Sequence, residues 1–310
     1  MRGARRFELG PREWALLLLL ALIWGSSFLF IGIGLRGWPP LTLAAARIVI
    51  AALVLWLLLA LRGEGRVRLP WRACVTMGLL NNVLPFVLIA WAQLHIAAGL
   101  AAILVATTPL LGLVLARRFL PDEPLSRAKV AGCVAGCIGV ALIVRGEWVA
   151  GTREALAGIV ACLLGAACFA AAGTFGRRFA RDGVTPLASA AGQLAASSLL
   201  LLPVALVVDR PWALPLPGVE VWLATFALGL FSTALAYVIY FAILAAAGST
   251  NLLLVNLLVP VPAIMLGALW LGQRLDAVHF GGLALIVAGL LAVDGRLWRG
   301  RAAGARRPSA

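Results

Sequence analysis

Long apolar runs separated by short polar segments make up almost the whole chain. Each run is close to the ~20 residues that a helix needs to cross the hydrocarbon core of a bilayer. The pattern predicts an all-α integral membrane protein with ten transmembrane helices. We place them near residues 14–34, 41–61, 73–93, 97–117, 126–145, 156–176, 187–207, 220–240, 250–271 and 278–295. The join between the eighth and ninth, around Leu244 to Gly248, carries no charge to mark it.

Composition supports the membrane assignment. Apolar residues make up 63% of the chain and charged residues only 12%, whereas a soluble domain has about 25% charged residues. The net charge of +14 comes from arginines in short bursts between apolar runs, so we expect no nucleic-acid partner. No GxxxxGK[ST] phosphate-binding loop is present, and the five cysteines lack neighbouring metal ligands. The sequence therefore predicts no cofactor and no metal.

The distribution of Lys and Arg predicts the orientation in the membrane. If the N-terminus is cytoplasmic, twenty of them lie in cytoplasmic segments, five lie in outside segments, and Arg47 lies within a span. Short cytoplasmic loops carry an excess of Lys and Arg. The sequence therefore predicts a multi-pass protein of the cell (inner) membrane with both termini cytoplasmic. Residues 1–13 form a cytoplasmic N-terminal segment, and residues 296–310 form a basic cytoplasmic tail.

The chain repeats itself. Pro109 matches Pro260 at an offset of 151 residues, and the spacing of seven between Pro40 and Arg47 recurs later. The later positions are Pro186 and Gln193. We predict two five-helix repeats, 14–146 and 154–295. Because five is an odd number, the second repeat enters the membrane from the opposite side.

Inverted repeats build many secondary transporters around a site near the bilayer midplane. The repeat therefore favours transport, although a gene duplication without a transport role would give the same pattern. No Asp or Glu lies deep in any predicted span. Facilitated export and proton antiport both stay open.

Two sets of residues carry a family resemblance. One is Trp24-Gly25-Ser26-Ser27-Phe28 in the first span. The other is the run from Ala97 through Pro109 to Asp122-Glu123, which is matched by Gly248 through Pro260 to Gln273. In these residues the chain resembles the EamA-type members of the drug/metabolite transporter superfamily. The resemblance implies ten helices with a cavity between the halves and the fifth helix of each half packed outside. It also implies export of amino acids or other small metabolites by alternating access.

One position departs from the family pattern. The first-half motif ends in Glu123, whereas Gln273 stands at the matching place in the second half. Both positions fall at membrane ends. We therefore expect them to fix the geometry between helix and loop, not to touch substrate.

Arg47 is the most informative candidate site residue. It lies about seven residues into the second span, roughly 10 Å below the outer surface by helical rise. A charge at that depth must face water, a partner or the headgroups. Arg47 is either a cavity cation that meets a substrate carboxylate or a side chain that snorkels to the outer headgroups. Its repeat mate Gln193 is neutral, so the site would be asymmetric.

Other polar and aromatic residues within spans are candidates for substrate contact or for helix packing. Asn81 and Asn82 are consecutive, so we do not expect them to share a neighbour. Tyr237 and Tyr240 lie three residues apart, and Tyr237 is the better cavity candidate. The predicted substrate-binding set is Trp24, Ser27, Arg47, Asn81, Asn82, Gln193, Ser232, Tyr237 and Asn256.

Three prolines lie near the middle of the fourth and ninth spans: Pro109, Pro260 and Pro262. Proline removes a backbone hydrogen bond and kinks a helix. These residues mark either a static bend or a hinge beside the site. Asn256, four residues before Pro260, could bond to the freed backbone or to substrate.

An exporter is the leading interpretation, and two others stay open: a flippase for lipid-linked groups, and a membrane receptor or scaffold without transport. We do not expect an enzyme, because paired carboxylates, a metal cluster and a nucleophile–base pair are not visible at membrane depth. The expected partners are a small-molecule substrate and membrane lipid, and a homodimer stays open.

Overall fold

The computed structural model describes residues 10–63, 68–119, 127–150, 153–176, 179, 182–252 and 254–294, and its regular elements within these ranges are helices. The first half contains α1 (Pro11–Gly34), α2 (Pro40–Leu61), α3 (Trp71–Gly78), a first π-helical turn (Leu79–Val83), α4 (Leu84–Ala92), α5 (Ala98–Val105), α6 (Thr108–Phe119) and α7 (Arg127–Ala150). The second half contains α8 (Arg153–Phe175), α9 (Pro186–Asp209), α10 (Val219–Gly229), a second π-helical turn (Leu230–Leu235), α11 (Ala236–Leu252), α12 (Val255–Leu258), α13 (Pro260–Leu271) and α14 (Ala277–Asp294). The predicted tail 296–310, most of the N-terminal segment and Glu123 lie outside the described residues.

Six helical stretches are long and apolar enough to cross a membrane: Pro11–Gly34, Pro40–Leu61, Trp71–Ala92, Arg153–Phe175, Pro186–Ala213 and Val219–Ala247. Large apolar side chains cover their outer faces. Leu53, Leu199 and Leu223 are 68%, 72% and 64% exposed. Water would disfavour so many exposed leucines, whereas lipid tails accept them. The prediction of an all-helical membrane protein is confirmed.

One predicted boundary is wrong. The eighth span was expected to end near residue 240, but α11 continues to Leu252, and the next helix begins only at Val255. The apolar stretch around Leu244 contains neither a proline nor a charge. Nothing in the sequence there interrupts the ladder of backbone hydrogen bonds, so the helix runs on.

The predicted prolines lie at breaks in their helices. The helical stretch before Pro109 is interrupted between Val105 and Thr108, and α12 ends at Leu258, two residues before Pro260. Hydroxyl groups satisfy carbonyls around the first break: Thr107 donates to Leu104 O at 2.6 Å, and Thr108 donates to Val105 O at the same distance. The Leu104 carbonyl also accepts a hydrogen bond from the backbone nitrogen of Thr107 at 3.1 Å. The Val105 carbonyl loses its usual backbone donor because Pro109 has no N–H, and in lipid such a carbonyl needs an internal partner.

Side chains from one half cap helices of the other. Asp209, at the end of α9, accepts hydrogen bonds from the backbone nitrogen of Thr42 at 2.8 Å and from its hydroxyl at 2.7 Å. Gln273 Oε1 accepts a hydrogen bond from the backbone nitrogen of Ala98, the first residue of α5, at 2.8 Å. The sequence predicted that Gln273 fixes helix–loop geometry, and the structure gives it this capping position.

Small residues let the helices approach closely. Buried alanines fill the contact between α2 and α9, and glycines fill the contact between α7 and α14. A Cβ atom on Gly139 of α7 would lie 2.7 Å from the carbonyl oxygen of Gly282 in α14. A Cβ atom on Gly282 would lie 2.8 Å from the carbonyl oxygen of Gly139. The two backbones therefore touch, as small residues allow between helices in membranes.

Gly282→Ala is expected to lower the stability of the detergent-solubilised protein by about 1–3 kcal/mol, because overpacking forces α7 and α14 apart. Thermal unfolding followed by size-exclusion chromatography measures the change. Gly281→Ala is the matched control, since its added Cβ would meet only Leu142 at an ordinary 3.5 Å. Equal melting temperatures for the two variants would contradict the close packing.

Candidate functional site

Most of the buried polar side chains at membrane depth gather at the contact between the two halves. Arg47 is 8% exposed, Asn82 and Ser197 are fully buried, and Gln193 and Thr233 are 2% exposed. Burying so many polar groups is costly unless they bond to one another. These polar side chains are therefore expected to bond to one another in the interior of the bundle.

Arg47 in α2 reaches across to the second π-helical turn. Its Nε donates a hydrogen bond to Thr233 Oγ1 at 2.8 Å, and its Nη2 makes a longer contact of 3.5 Å with the Ser232 carbonyl. Thr233 Oγ1 in turn donates to Leu228 O at 2.8 Å. On its other side the guanidinium carbon lies 3.8 Å from the centre of the Phe86 ring in α4, a cation–π contact.

This geometry overturns one of the two interpretations of Arg47. A snorkelling arginine would extend along its helix toward the headgroups. Instead, the guanidinium lies inside the bundle, between a hydroxyl and an aromatic face from different helices. The hydroxyl and the ring replace part of the hydration that the charge loses. Arg47 is therefore an interior cation.

Tyr237 in α11 joins the two asparagines of the first π turn. Asn81 Nδ2 donates to the Tyr237 hydroxyl at 2.7 Å, and that hydroxyl donates to Asn82 Oδ1 at 3.1 Å. The expectation that Asn81 and Asn82 cannot share a neighbour is therefore wrong. A phenol both accepts and donates a hydrogen bond, so one hydroxyl placed between the two amides serves both.

The same asparagines also bond to α9. Asn81 Nδ2 donates to Gln193 Oε1 at 3.0 Å, and Asn82 Nδ2 donates to Ser197 Oγ at 3.2 Å. Ser197 Oγ donates to the Gln193 carbonyl at 2.6 Å. We call these five residues (Asn81, Asn82, Gln193, Ser197 and Tyr237) the phenol–amide cluster. It lies beside Arg47, because Phe86 follows Asn82 by one helical turn and Thr233 precedes Tyr237 by one turn.

The two π-helical turns occupy equivalent places in the two halves. Leu79–Val83 and Leu230–Leu235 begin 151 residues apart, the same offset as Pro109 and Pro260. A π turn is rare and frequently occurs at functional sites, and it alters the direction of side chains within a continuous helix. Here the first turn carries both asparagines, and the second carries Ser232 and Thr233.

Two glycines directly before the π turns show the same equivalence. A Cβ atom on Gly78 would lie 2.9 Å from the carbonyl oxygen of Gln193, and one on Gly229 would lie 3.1 Å from the carbonyl oxygen of Arg47. Arg47 and Gln193 are the positions that the sequence repeat pairs. Each half thus places a glycine against the paired position of the other half.

Aromatic rings from both halves pack against each other next to the polar groups. Trp24 in α1 packs on Tyr240 in α11 with ring centres 6.0 Å apart. Phe86 in α4 packs on Phe169 in α8 at 6.3 Å. Both pairs cross between the halves, and together they give the polar region apolar walls.

The remaining predicted residues lie in other surroundings. The hydroxyl of Ser27 donates to the carbonyl of Trp24 in its own helix at 2.6 Å, which is the packing arrangement that serines adopt in membrane helices. Ser232 Oγ bonds to the Ile23 carbonyl of α1 at 3.3 Å. Asn256 is partly buried in the short helix α12, one turn before Pro260.

Sequence reasoning did not select five residues of this region: Phe86, Phe169, Ser197, Thr233 and Tyr240. Phe86 and Tyr237 are separated by 151 residues. Applying the repeat offset to Tyr237 would have pointed to Phe86. Ser197 and Phe169 carry no comparable signal, because single serines and phenylalanines are ordinary in membrane helices.

An apolar bundle with a polar cluster buried between its halves defines an integral membrane protein with an interior polar site, as transporters have. The sequence model of the EamA-like transporter family matches residues 12–145 and, a second time, residues 156–293. The chain belongs to the EamA-like transporter family and is a membrane transporter.

Known proteins of similar sequence carry transporter names. The chain is 29% identical over 282 residues to the uncharacterized inner membrane transporter YedA of Escherichia coli strain K12, with 89% of each chain covered. It is 30% identical over 296 residues to the "Probable terminal-alkyne amino-acid exporter" of Streptantibioticus cattleyicolor, covering 93% of this chain and 95% of that relative. One solved crystal structure aligns with a TM-score of 0.66 and 24% identity, covering 94% of this chain and 98% of the other, and so shares the fold.

Tyr237→Phe is expected to destabilise the solubilised protein by about 1–3 kcal/mol, because Asn81 loses an acceptor and Asn82 loses a donor inside the bundle. Tyr240→Phe is the matched control from the same helix, since its hydroxyl bonds to none of the described residues. Melting temperatures of both variants and the wild type provide the measurement. A Tyr240→Phe loss as large as that of Tyr237→Phe would count against the cluster.

Proposed function

We propose that this chain is a secondary transporter that exports amino acids or similar small metabolites by alternating access. The observation that carries the proposal is the polar cluster contributed by both halves and buried where the halves meet. Family membership supports transport, and the printed name of the Streptantibioticus relative supports an amino-acid-like cargo.

The proposed architecture is ten spans in two inverted repeats, 14–146 and 154–295. Four shorter apolar helices, Ala98–Leu113, Val130–Ile143, Val255–Leu271 and Ala277–Gly289, would complete the six longer spans. The two family matches and the paired π turns support a five-helix unit used twice. Because such a unit has an odd number of spans, its second copy would cross the membrane in the opposite orientation.

The proposed location is the cell (inner) membrane with both termini cytoplasmic. The excess of Lys and Arg in the segments on that side supports this orientation. The relative YedA is named an inner membrane transporter. In this orientation α2 begins at the outer surface, so substrate would leave past the Arg47 end of the bundle.

The proposed substrate site is the phenol–amide cluster with Arg47 and Ser232, and Trp24 forms an apolar wall. Ser27 and Asn256 stay predictions at the margin of this site. In alternating access the two halves rock about a fixed site, so substrate would meet groups from both halves in each state. A substrate hydroxyl, amide or carboxylate could replace the bonds that these groups make with one another.

The proposed hinges are Pro109, Pro260 and Pro262. The helix breaks before Pro109 and Pro260 support this role, because a segment without continuous backbone bonds bends at low cost. Gly25 of α1 lies directly against this region, since an added Cβ would meet Pro262 and the Val259 carbonyl. Rocking of the second half would therefore move α1 as well.

Counterflow in proteoliposomes tests the proposal. Purified protein is reconstituted, loaded with one unlabelled amino acid at a time, and supplied with the labelled form outside. We expect saturable uptake of the labelled compound by the proteoliposomes and none by protein-free liposomes. Absence of exchange for every amino acid and for other small carboxylates would refute small-metabolite transport and favour a lipid-linked cargo or a receptor role.

Asn82→Leu is expected to slow the exchange by about tenfold or more, because it removes the group that joins Tyr237 to Ser197. Thr76→Val is the matched control from the preceding helix, because its exposed hydroxyl bonds to the Arg72 carbonyl and to no other described residue. Rates are compared at equal amounts of reconstituted protein. If both variants slowed the exchange equally, the phenol–amide cluster would have no specific role in transport.

A further inference from the structure

The charge balance at Arg47 restricts the kind of substrate that the site accepts. Its partners among the described residues are a hydroxyl, a carbonyl and an aromatic ring, all neutral. All twelve acidic residues of the sequence lie at or beyond the ends of the predicted spans. Arg47 is therefore a positive charge inside the bundle, and no carboxylate among the described residues bonds to it.

Neutral partners compensate such a charge only in part. A buried charge without a counter-ion is strongly disfavoured, whereas a hydrogen-bonded ion pair in the same place is tolerated. An anion bound at this site would therefore relieve the imbalance. A neutral or cationic ligand would leave the imbalance as it is or increase it.

The guanidinium retains donor capacity for such an anion. It has five N–H donors. Nε is used by Thr233 and Nη2 makes only the 3.5 Å contact with the Ser232 carbonyl, while Nη1 bonds to none of the described residues. A planar carboxylate that binds two parallel N–H groups matches this fork better than a spherical anion does.

The rest of the site has no group for a second charge. An α-ammonium placed a few ångströms from a carboxylate on Arg47 would need an acidic partner, and no acidic side chain among the described residues faces this region. The nearby amides and the Tyr237 hydroxyl are bonded to one another. The walls are the ring pairs Trp24–Tyr240 and Phe86–Phe169.

Only one of the two positions that the sequence repeat pairs is charged. Gln193 occupies the position equivalent to Arg47 and is itself bonded to Asn81 through its amide oxygen. One half therefore supplies a cation and the other a neutral amide. A ligand with one carboxylate and an uncharged, apolar remainder complements this pair.

We propose that the site selects small monocarboxylates whose amino group is absent or acylated over zwitterionic amino acids with the same side chain. The carboxylate binds Arg47, and the uncharged part lies between the aromatic pairs and the phenol–amide cluster. This inference rests on the proposed function and narrows its substrate class. The exported compound is then a modified amino acid, an oxo acid or a related organic anion.

The test is counterflow at about pH 6 with three probes that share one side chain: N-acetyl-phenylalanine (an anion), phenylalanine (a zwitterion) and phenylalaninamide (a cation, because its α-amino group is protonated at that pH). The expected order of exchange rates is N-acetyl-phenylalanine first, phenylalanine at least about tenfold slower, and no exchange of the amide. Equal rates for the anion and the zwitterion, or exchange of the amide, would overturn the inference and leave the transport proposal standing.

Arg47→Gln gives the first half the same residue as the equivalent position of the second half, which is Gln193. It is expected to lower exchange of N-acetyl-phenylalanine at least about 30-fold, while Arg47→Lys keeps the charge, loses the two-pronged geometry and falls in between. Both variants are first checked for wild-type elution in size-exclusion chromatography. An unchanged rate in a folded Arg47→Gln variant would overturn the assignment.

Binding separates the two proposals if no probe is exchanged. Saturable thermal stabilisation of the solubilised wild type by N-acetyl-phenylalanine, absent in Arg47→Gln, would support the carboxylate site while transport of these compounds fails. No stabilisation of either protein, together with no exchange, would overturn the carboxylate site as well.

Discussion

Hydrocarbon offers no hydrogen bonds, and this constraint explains the arrangement of the polar groups in this bundle. Each polar group buried at membrane depth must find its partner inside the protein. Thr108 bonds to the Val105 carbonyl, which Pro109 leaves without its usual backbone donor, and Gln273 caps the first turn of α5. The largest set of such bonds joins Arg47, the phenol–amide cluster and the second π turn. The same requirement that stabilises the fold therefore also assembles the candidate site.

Neither half could form this site by itself. Asn81 and Asn82 from the first half bond to Gln193, Ser197 and Tyr237 from the second, while Arg47 from the first bonds to Thr233 from the second. The glycines before the π turns bring these helices within backbone distance. Because the partners alternate between halves, any relative movement of the halves must exchange these bonds for others, which a bound substrate can supply.

The sequence predicts the class, and most of the spans, because lipid imposes a length and a polarity that can be counted along the chain. It also points to Arg47, since a charge inside a span is rare and needs a reason. It does not reveal that the side chain turns inward, because that depends on Thr233 and Phe86 being at the same depth. The π turns escape prediction as well, since neither Leu79–Val83 nor Leu230–Leu235 contains a residue that excludes an ordinary α-helix. The predicted end of the eighth span is wrong because the stretch from Leu244 to Gly248 contains no charge or proline to mark a boundary.

The hydrogen bond between Arg47 and Thr233 joins residues 186 positions apart. At translation rates of about 5–20 residues per second, roughly 10–40 s pass between the synthesis of the two partners. During that time α2 is already made, and its arginine has neither the hydroxyl nor the complete bundle around it. The distance of Arg47 from the start of α2 is short enough for its side chain to reach the headgroups in the interval. Until the second half is inserted, the headgroup region is therefore the nearest polar environment within reach of this guanidinium.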